Sequence, residues 1–204
     1  MAKKSDDLYL GIDVGTTGIK TVAYDIDGQI EAIAAFENTT ISSQPGWSSQ
    51  SMELTWENTL RSIKTLCGQI NPQRVKSIGV CAQGDGLWLL DENCKPVRNA
   101  ILWNDQRASK LVSDWIDDGT SEELSRYSRT AIWAGASGAA YRWLKDHEPE
   151  TAARSRYAIH CKDWINLNLT GNLTADFTDA TIPFFDLETG EYASKAFEML
   201  GVPE

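Results

Sequence analysis

The amino-acid sequence predicts an α/β protein in which a mixed β-sheet is flanked by helices. Three strand-like segments joined by tight turns open the chain, and this pattern is typical of antiparallel strands. A helical segment comes next, followed by a short apolar segment of the kind found in parallel strands. No repeat, linker or low-complexity tract interrupts the 204 residues, so we expect one compact domain over residues 1–204.

The first three strands are predicted from alternation and from turn residues. Residues 8–12 and 19–24 have strand-like patterns, and the Gly/Thr-rich residues 15–18 lie between them as a turn. Asp27-Gly28 is a strong hairpin signal, after which residues 29–36 form the third strand. The polar segment 37–51 contains Pro-Gly-Trp and is predicted to consist of turns.

The first helix is predicted from a cap and an apolar stripe. Ser51 is placed to cap the helix, and Asn71-Pro72 ends it. Apolar residues that recur at helical spacing predict its buried face, namely Trp56, Leu60, Ile63, Cys67 and Ile70. Residues 75–81 then predict a strand that is buried in a parallel sheet.

The second half of the chain is predicted to be mostly helical. Residues 87–90 with the turn at 91–93 indicate a hairpin, residues 100–103 a strand, and residues 158–160 a weak strand. Helical patterns cover residues 108–116, 121–127, 138–147, 163–169 and 194–200.

Composition excludes several classes of function. The 19 Lys and Arg against 29 Asp and Glu give a formal net charge of −10, which disfavours nucleic acid or an anionic membrane as a partner. Nucleotides remain possible ligands, because backbone amides and a metal ion can hold a polyphosphate. No apolar run has the length of a membrane span or signal peptide, so a cytoplasmic location is expected. The four cysteines lack C-x-x-C spacing and are predicted to be reduced, mostly buried thiols.

The first turn is the first candidate site. Residues 11–20, G-I-D-V-G-T-T-G-I-K, lack the G-K-[ST] ending of a Walker loop and lead into a strand instead of a helix. Gly15 allows close approach of a polyphosphate, and Thr16 and Thr17 offer hydroxyls and amides to its oxygens. Asp13 is placed to hold a magnesium ion through its waters. An ordinary tight hairpin, with Asp and Thr serving the turn itself, is the alternative.

Several motifs follow this turn in a fixed order. They are P-G-W before a helix, A-Q-G-D-G after a strand, A-I-L-W-N-D-x-R, K-D-W-x-x-x-x-L-T-G and D-x-T-D-A-T. The ordered set resembles the amino-terminal domain of the FGGY family of carbohydrate kinases, from residue 8 to about residue 203. This resemblance implies a ribonuclease-H-like fold of the actin and sugar-kinase ATPase type. It also implies ATP and Mg²⁺ as cofactors and a sugar or polyol as phosphoryl acceptor.

The resemblance assigns roles at the phosphate end of the site. Asp13 matches the family's magnesium-associated aspartate, and Thr16 and Thr17 match its phosphate-contacting threonines. Lys20 falls where glycerol kinases have an arginine near the phosphates, so it is placed to offset charge on the transferring group. The alternative for Lys20 is simply the exposed side of a strand.

The resemblance also assigns an acceptor pocket. Gln83, Gly84 and Asp85 match the segment that binds substrate hydroxyls, and a solvated loop is the alternative. Trp103 matches a tryptophan that packs against the carbon backbone of the substrate, as a flat apolar wall. For Asp105 two roles stay open, a hydroxyl contact or the cap of the helix that follows.

The acceptor itself is not settled by the motifs. The family signature G-x-[PST]-x-x-K-x-x-W has Ala140 in place of its lysine, which disfavours a glycerol kinase or an ordinary D-xylulose kinase. The Gly-Asp-Gly after Gln83 is closer to L-xylulose and erythritol kinases, whereas Trp103-Asn104-Asp105 is closer to xylulose kinases. A pentulose and a polyol both remain candidates.

The resemblance places two parts of the kinase site elsewhere. In this family the aspartate that acts as general base, and the adenine site, lie beyond the amino-terminal domain, and Asp13 is not that base. We therefore expect a truncated form of a longer kinase, inactive alone, with its own carboxy-terminal domain as partner and a homodimer as a candidate assembly. The alternatives are a non-catalytic carbohydrate-binding or regulatory module on this fold, or another actin-like ATPase.

Overall fold

The computed structural model describes residues 6–180 and 184–203. In chain order the strands are β1 (Leu8–Val14), β2 (Gly18–Tyr24), β3 (Ile30–Glu37), β4 (Ser49–Gln50), β5 (Val75–Ala82), β6 (Trp88–Leu90), β7 (Ala100–Ile101), β8 (Tyr157–Ile159), β9 (Phe185–Asp186) and β10 (Glu191–Tyr192). The helices are α1 (Met52–Cys67), α2 (Ser109–Asp117), α3 (Thr120–Ser128), α4 (Ser137–His147), α5 (Pro149–Arg154), α6 (Cys161–Thr170), α7 (Phe177–Ala180) and α8 (Ser194–Leu200). A short 3₁₀ turn, Pro72–Arg74, precedes β5.

A four-stranded mixed sheet in the order β3-β2-β1-β5 forms the centre of the fold. The first three strands are antiparallel, as predicted, and β5 runs parallel to β1. At the predicted hairpin, Asp25 Oδ1 accepts hydrogen bonds from the N–H groups of Asp27 and Gln29, and Gly28 has a φ of 75°. This left-handed conformation suits glycine, which explains why the Asp-Gly pair marks the turn.

Helix α1 begins and ends close to the predicted residues but buries a different face. Ser51 caps it by accepting a hydrogen bond from Leu54 N. The buried face consists of Met52, Thr55, Thr59, Ser62 and Leu66, whereas the predicted stripe is only half-buried. Small residues let the helix approach the sheet closely, and their hydroxyls find partners: Ser62 Oγ donates to Thr21 Oγ1 at 2.8 Å. The apolar stripe flanks this contact instead of forming it.

Strand β5 is parallel, as predicted, but it is not buried. Ile78 on this strand is 46% exposed, and most of its neighbours are exposed as well. Within the described residues β5 is an edge strand of the sheet, so it pairs with β1 alone. The apolar pattern predicted the pairing of this strand correctly and its burial wrongly.

The main core positions the ends of β1, β6 and β7 beside α6. It includes Ile12, Val14, Trp88 and Leu102, and Trp164 on α6 donates its indole N–H to Met52 O at 2.8 Å. Among the other tryptophans, Trp115 and Trp164 are buried, and Trp56 and Trp143 are half-buried. The cysteines are free thiols as predicted, although only Cys161 is buried.

The second half of the chain follows the predicted elements with one change. Strand β6 pairs with β8, and the segment after the 91–93 turn returns beside β6 through a Leu90–Pro96 bridge and a hydrogen bond from Val97 N to Leu89 O at 3.1 Å, so the predicted hairpin is present in a short form. The short elements α5, α7, β9 and β10 carry no strong periodicity and were not predicted. Among the described residues, no helix has both the length and the apolar character that a membrane crossing requires.

Candidate active site

The turn between β1 and β2 is held from behind by polar side chains. Gly15 N donates to Gly18 O at 2.9 Å and closes the turn. Asn38 Nδ2 donates to Gly15 O, and Gln50 Nε2 donates to Thr16 O, each at 3.0 Å. In a trans peptide the N–H points opposite to the C=O, so the N–H groups of Thr16 and Thr17 point away from these partners. A turn with two outward amides is an anion-binding arrangement.

A chain of hydrogen bonds joins this turn to the predicted acceptor residues. Trp103 Nε1 donates to Thr16 Oγ1 at 3.2 Å, and Thr16 Oγ1 donates to Gln83 Oε1 at 2.9 Å. Gln83 N also donates to Val14 O at 2.9 Å, which fixes this residue to the end of β1. The indole of Trp103 is 46% exposed despite these contacts, so one face is open to a ligand.

One cleft of about 410 Å³ is lined by most of the predicted site residues. Seven of the ten line it, namely Asp13, Gly15, Thr16, Gln83, Gly84, Asp85 and Trp103, together with Ala82. Thr17, Lys20 and Asp105 are not among its lining residues. The segments that the sequence separates by about seventy and ninety positions therefore meet at one edge of the sheet.

Asp13 and Lys20 lie on the same side of the sheet. They are cross-strand partners in the register of β1 and β2, and both are exposed. Asp13 Oδ1 accepts a weak hydrogen bond from the thiol of Cys81 at 3.5 Å. The pKa of Cys81 is raised by burial and further by the charge of Asp13. An exposed carboxylate with one weak described partner fits a hydrated magnesium ion, which prefers to keep several waters.

Asp85 has a strained backbone and a perturbed carboxyl group. Its φ is 54°, in the left-handed region that non-glycine residues rarely adopt. The following Gly86 has a φ of 81°, and a Cβ there would lie 2.5 Å from Ile101 O. Desolvation raises the pKa of Asp85, the charge of Asp179 raises it further, and His160 opposes both. Strain and a raised carboxyl pKa in a cleft are features of functional sites.

Asp105 lies outside the cleft and is completely buried. Its Oδ2 accepts a hydrogen bond from Ser48 N at 2.6 Å, and its Oδ1 accepts one from Arg107 Nε at 2.8 Å. The Arg107 guanidinium lies over Trp47 at 4.2 Å and near Trp143 at 5.2 Å. Helix α2 begins only at Ser109, with no side-chain cap. Asp105 Oδ1 also accepts a hydrogen bond from Arg107 N at 2.8 Å, a cap-like contact in the turn before α2, and Oδ2 anchors the Pro-Gly-Trp segment through Ser48 N.

Three residues that position the site were missed in the sequence. Asn38 and Gln50 hold the carbonyls of the turn, and both come from the polar segment that precedes α1. Gly135 accepts a hydrogen bond from Gly86 N at 3.1 Å, and its backbone lies against Trp103. The only local signal was a run of polar and turn-forming residues, which does not indicate the long-range partner of each side chain.

Comparison with known proteins agrees with this geometry. The model of the N-terminal domain of the FGGY family of carbohydrate kinases matches residues 8–204. A probable L-xylulose kinase of Pasteurella multocida is 36% identical over 95% of this chain and 41% of its own length. An erythritol kinase of Brucella abortus is 32% identical over 98% of this chain and 39% of its own.

A solved structure is also similar over almost the whole chain. The ligand-bound xylulose kinase from Lactobacillus acidophilus matches with a TM-score of 0.91 and 25% identity, over 97% of this chain and 40% of that one. This likeness confirms the predicted fold, the actin and sugar-kinase type of mixed sheet flanked by helices. The chain spans about 40% of the length of the relatives it matches. With the family model covering nearly every residue, the chain belongs to the FGGY family of carbohydrate kinases.

Proposed function

We propose that this chain is the amino-terminal domain of an ATP-dependent kinase that phosphorylates a hydroxyl of a pentulose or a polyol. One observation carries the proposal: Trp103, Thr16 and Gln83 are joined by hydrogen bonds across a single cleft. A phosphate-binding turn and an apolar wall with polar neighbours thus face the same space. Transfer between two bound substrates needs this proximity.

At the phosphate end, the outward amides of Thr16 and Thr17 bind phosphate oxygens of ATP. Gly15 carries no side chain, so a phosphate can come close to the backbone. Asp13 would hold the hydrated Mg²⁺ that accompanies the nucleotide, and the bound MgATP supplies the phosphoryl group. Lys20, the cross-strand partner of Asp13, offsets negative charge that develops during transfer.

At the acceptor end, Trp103 provides a flat surface for the C–H face of a small polyhydroxy compound. The backbone of Gly84 and the carboxylate of Asp85 are exposed to the same cleft and bind hydroxyl groups. Ionised Asp85 can accept hydrogen bonds from two hydroxyl groups, whereas its protonated form can accept fewer. The relatives named L-xylulose kinase and erythritol kinase favour a pentulose or a polyol as the acceptor.

The remaining parts of the reaction are assigned to the rest of a longer polypeptide. Proton abstraction from the acceptor needs a base near its hydroxyl, and the adenine ring needs a second wall. None of the residues assigned above supplies either. We therefore propose a carboxy-terminal domain as partner and no kinase activity for residues 1–204 alone. We also propose a cytoplasmic location.

The test is an ADP-release assay of the full-length protein. It compares D-xylulose, L-xylulose, ribulose, glycerol and erythritol as acceptors, with MgATP present. We expect turnover with at least one of them, and its loss in Asp13→Ala. Asp114→Ala removes an equally exposed carboxylate on α2 and should leave turnover unchanged. A flat response to every acceptor, or full activity of Asp13→Ala, contradicts the proposal.

A further inference from the structure

Gln50 is a buried amide that contacts both halves of the cleft without lining it. It lies on β4, which pairs with β7, and only 1% of the residue is exposed. Its Nε2 donates to Thr16 O at 3.0 Å and to Thr39 O at 3.3 Å. Its Oε1 accepts from Gln83 Nε2 at 2.7 Å.

The orientation of this amide is forced by its neighbours. An NH₂ group has two hydrogens to donate, and the two carbonyls take both. The amide oxygen faces the NH₂ group of Gln83, which in turn has its own oxygen bound by the Thr16 hydroxyl. A rotation of Gln50 by half a turn would place NH₂ against NH₂ and oxygen against carbonyls. Every polar atom of the buried side chain therefore fixes one arrangement.

These contacts form a closed ring of hydrogen bonds. From Gln50 the ring passes to Gln83, from Gln83 to the Thr16 hydroxyl, and from the Thr16 carbonyl back to Gln50. Trp103 is attached to the ring through Thr16 Oγ1. The buried thiol of Cys161 lies beside Gln83. A ring of this kind keeps the Thr16 carbonyl, and with it the Thr17 amide, in a fixed position relative to Gln83 and Trp103.

We propose that Gln50 is a positioning residue that couples the phosphate-binding turn, residues 15–17, to the acceptor wall, which consists of Gln83 and Trp103. This inference rests on the proposed function, because it concerns how the two ends of that site are held in register. Gln50 touches neither substrate and acts through Thr16 and Gln83. Loss of its amide allows the turn and the acceptor wall to move independently.

The expected effect is measurable for both substrates. Gln50→Met keeps the length of the side chain but leaves Gln83 Nε2 and two carbonyls without their partner. We expect KM to rise for MgATP and for the acceptor, kcat to fall, and kcat/KM to fall about tenfold, which corresponds to ~1.4 kcal/mol. Gln50→Glu keeps an acceptor for Gln83 and loses both donors, so it should raise KM for MgATP more than KM for the acceptor.

Ser62→Ala is the matched control. Ser62 is fully buried, and its hydroxyl donates to Thr21 Oγ1 and Ala34 O beneath the sheet, away from the cleft. It therefore lowers stability by removing buried hydrogen bonds without touching the ring. At a matched loss of Tm, we expect both KM values of Ser62→Ala to stay near those of the unmodified enzyme. Equal kinetic losses in Gln50→Met and Ser62→Ala would overturn the coupling role, as would an effect on the acceptor KM alone.

A second readout separates this inference from the proposed function. In the ¹H–¹⁵N spectrum of the full-length protein, Trp103→Phe identifies the Trp103 indole signal. We expect Gln50→Met to shift that signal, because it releases Thr16, the acceptor of the indole N–H, and Ser62→Ala to leave it in place. If no sugar or polyol is phosphorylated, the proposed function fails, but the spectrum still tests whether Gln50 holds Thr16 in place beside Trp103. An unshifted indole signal in Gln50→Met overturns the inference.

Discussion

Gly135→Ala is predicted to disrupt the acceptor wall through backbone contact alone. A Cβ at this position would lie 3.0 Å from Trp103 Cα and closer still to the carbonyl carbon and oxygen of Trp103. Backbone atoms cannot rotate away as the end of a flexible side chain can. The residues around Gly135, or the end of the segment that carries Trp103, must therefore move.

The size of the effect follows from what that movement breaks. Overpacking of this kind costs about 1–3 kcal/mol. The shift also weakens two hydrogen bonds, Gly86 N to Gly135 O at 3.1 Å and Trp133 Nε1 to Trp103 O at 3.3 Å, each worth about 0.5–1.5 kcal/mol. Alanine restricts the unfolded chain and returns about 0.4–1 kcal/mol. We expect a net loss of about 1–5 kcal/mol.

Urea denaturation of the full-length protein measures this loss, and Gly79→Ala is the matched control. A Cβ at Gly79 would lie 3.9 Å from Leu10 O, an ordinary van der Waals distance, so this variant should be no less stable than the unmodified protein and should gain up to about 1 kcal/mol from restriction of the unfolded chain. In the kinase assay Gly135→Ala should also raise KM for the acceptor more than KM for MgATP. A Gly135→Ala protein as stable as Gly79→Ala would refute the close approach of the two backbones.

Three further predictions concern charged groups. Because burial raises the pKa of folded Asp85, its ionised form costs stability at neutral pH, and Asp85→Asn should raise Tm. The same variant should bind the acceptor more weakly, and its affinity for the acceptor should no longer change as the pH is lowered. Arg107→Met leaves Asp105 buried without its partner and should cost about 3–5 kcal/mol in urea denaturation. Lys162 holds the pKa of Asp176 well below its usual range, so this ion pair stabilises the folded protein at pH values above about 3.9, the pKa of an unperturbed Asp. The Tm difference between unmodified protein and Lys162→Met should therefore shrink in acid, and a constant difference would contradict it.

The local elements of the fold were readable because their signals are local. Alternation and the Asp27-Gly28 pair predicted the antiparallel strands, and Ser51 predicted the start of α1, since a turn or cap depends on adjacent residues. The buried face of α1 was predicted wrongly because side-chain apolarity was taken as the measure of contact. Ser62 is buried against the sheet because it is small and its hydroxyl finds partners there, whereas the buried Thr59 hydroxyl is satisfied within the helix by Thr55 O.

The candidate site divides in the same way. The residues that line the cleft could be proposed because each follows a strand, and because the ordered motifs resemble one family. The residues that hold the cleft together are hidden in polar turns, where nothing in the sequence specifies which distant group a side chain will meet. Asp105 illustrates the converse: the sequence left a hydroxyl contact and a helix cap open for it, and its buried carboxylate is engaged by the backbone and guanidinium of Arg107.

The division has a physical origin in the partners that polar groups require. The carboxylate of Asp13, which lines the cleft, has one weak described partner and so stays available to a ligand, and its chemical type alone suggests a role. A buried amide such as Gln50 must satisfy every polar atom within the fold, so its role depends on register, and β4 brings it beside the turn by pairing with β7. The buried Asn38 of the same segment also holds the turn, since its Nδ2 donates to Gly15 O and its N–H to Thr17 O, although its Oδ1 has no partner among the described residues. The turn between β1 and β2 is therefore held in place by Asn38 and Gln50, two residues that do not line the cleft.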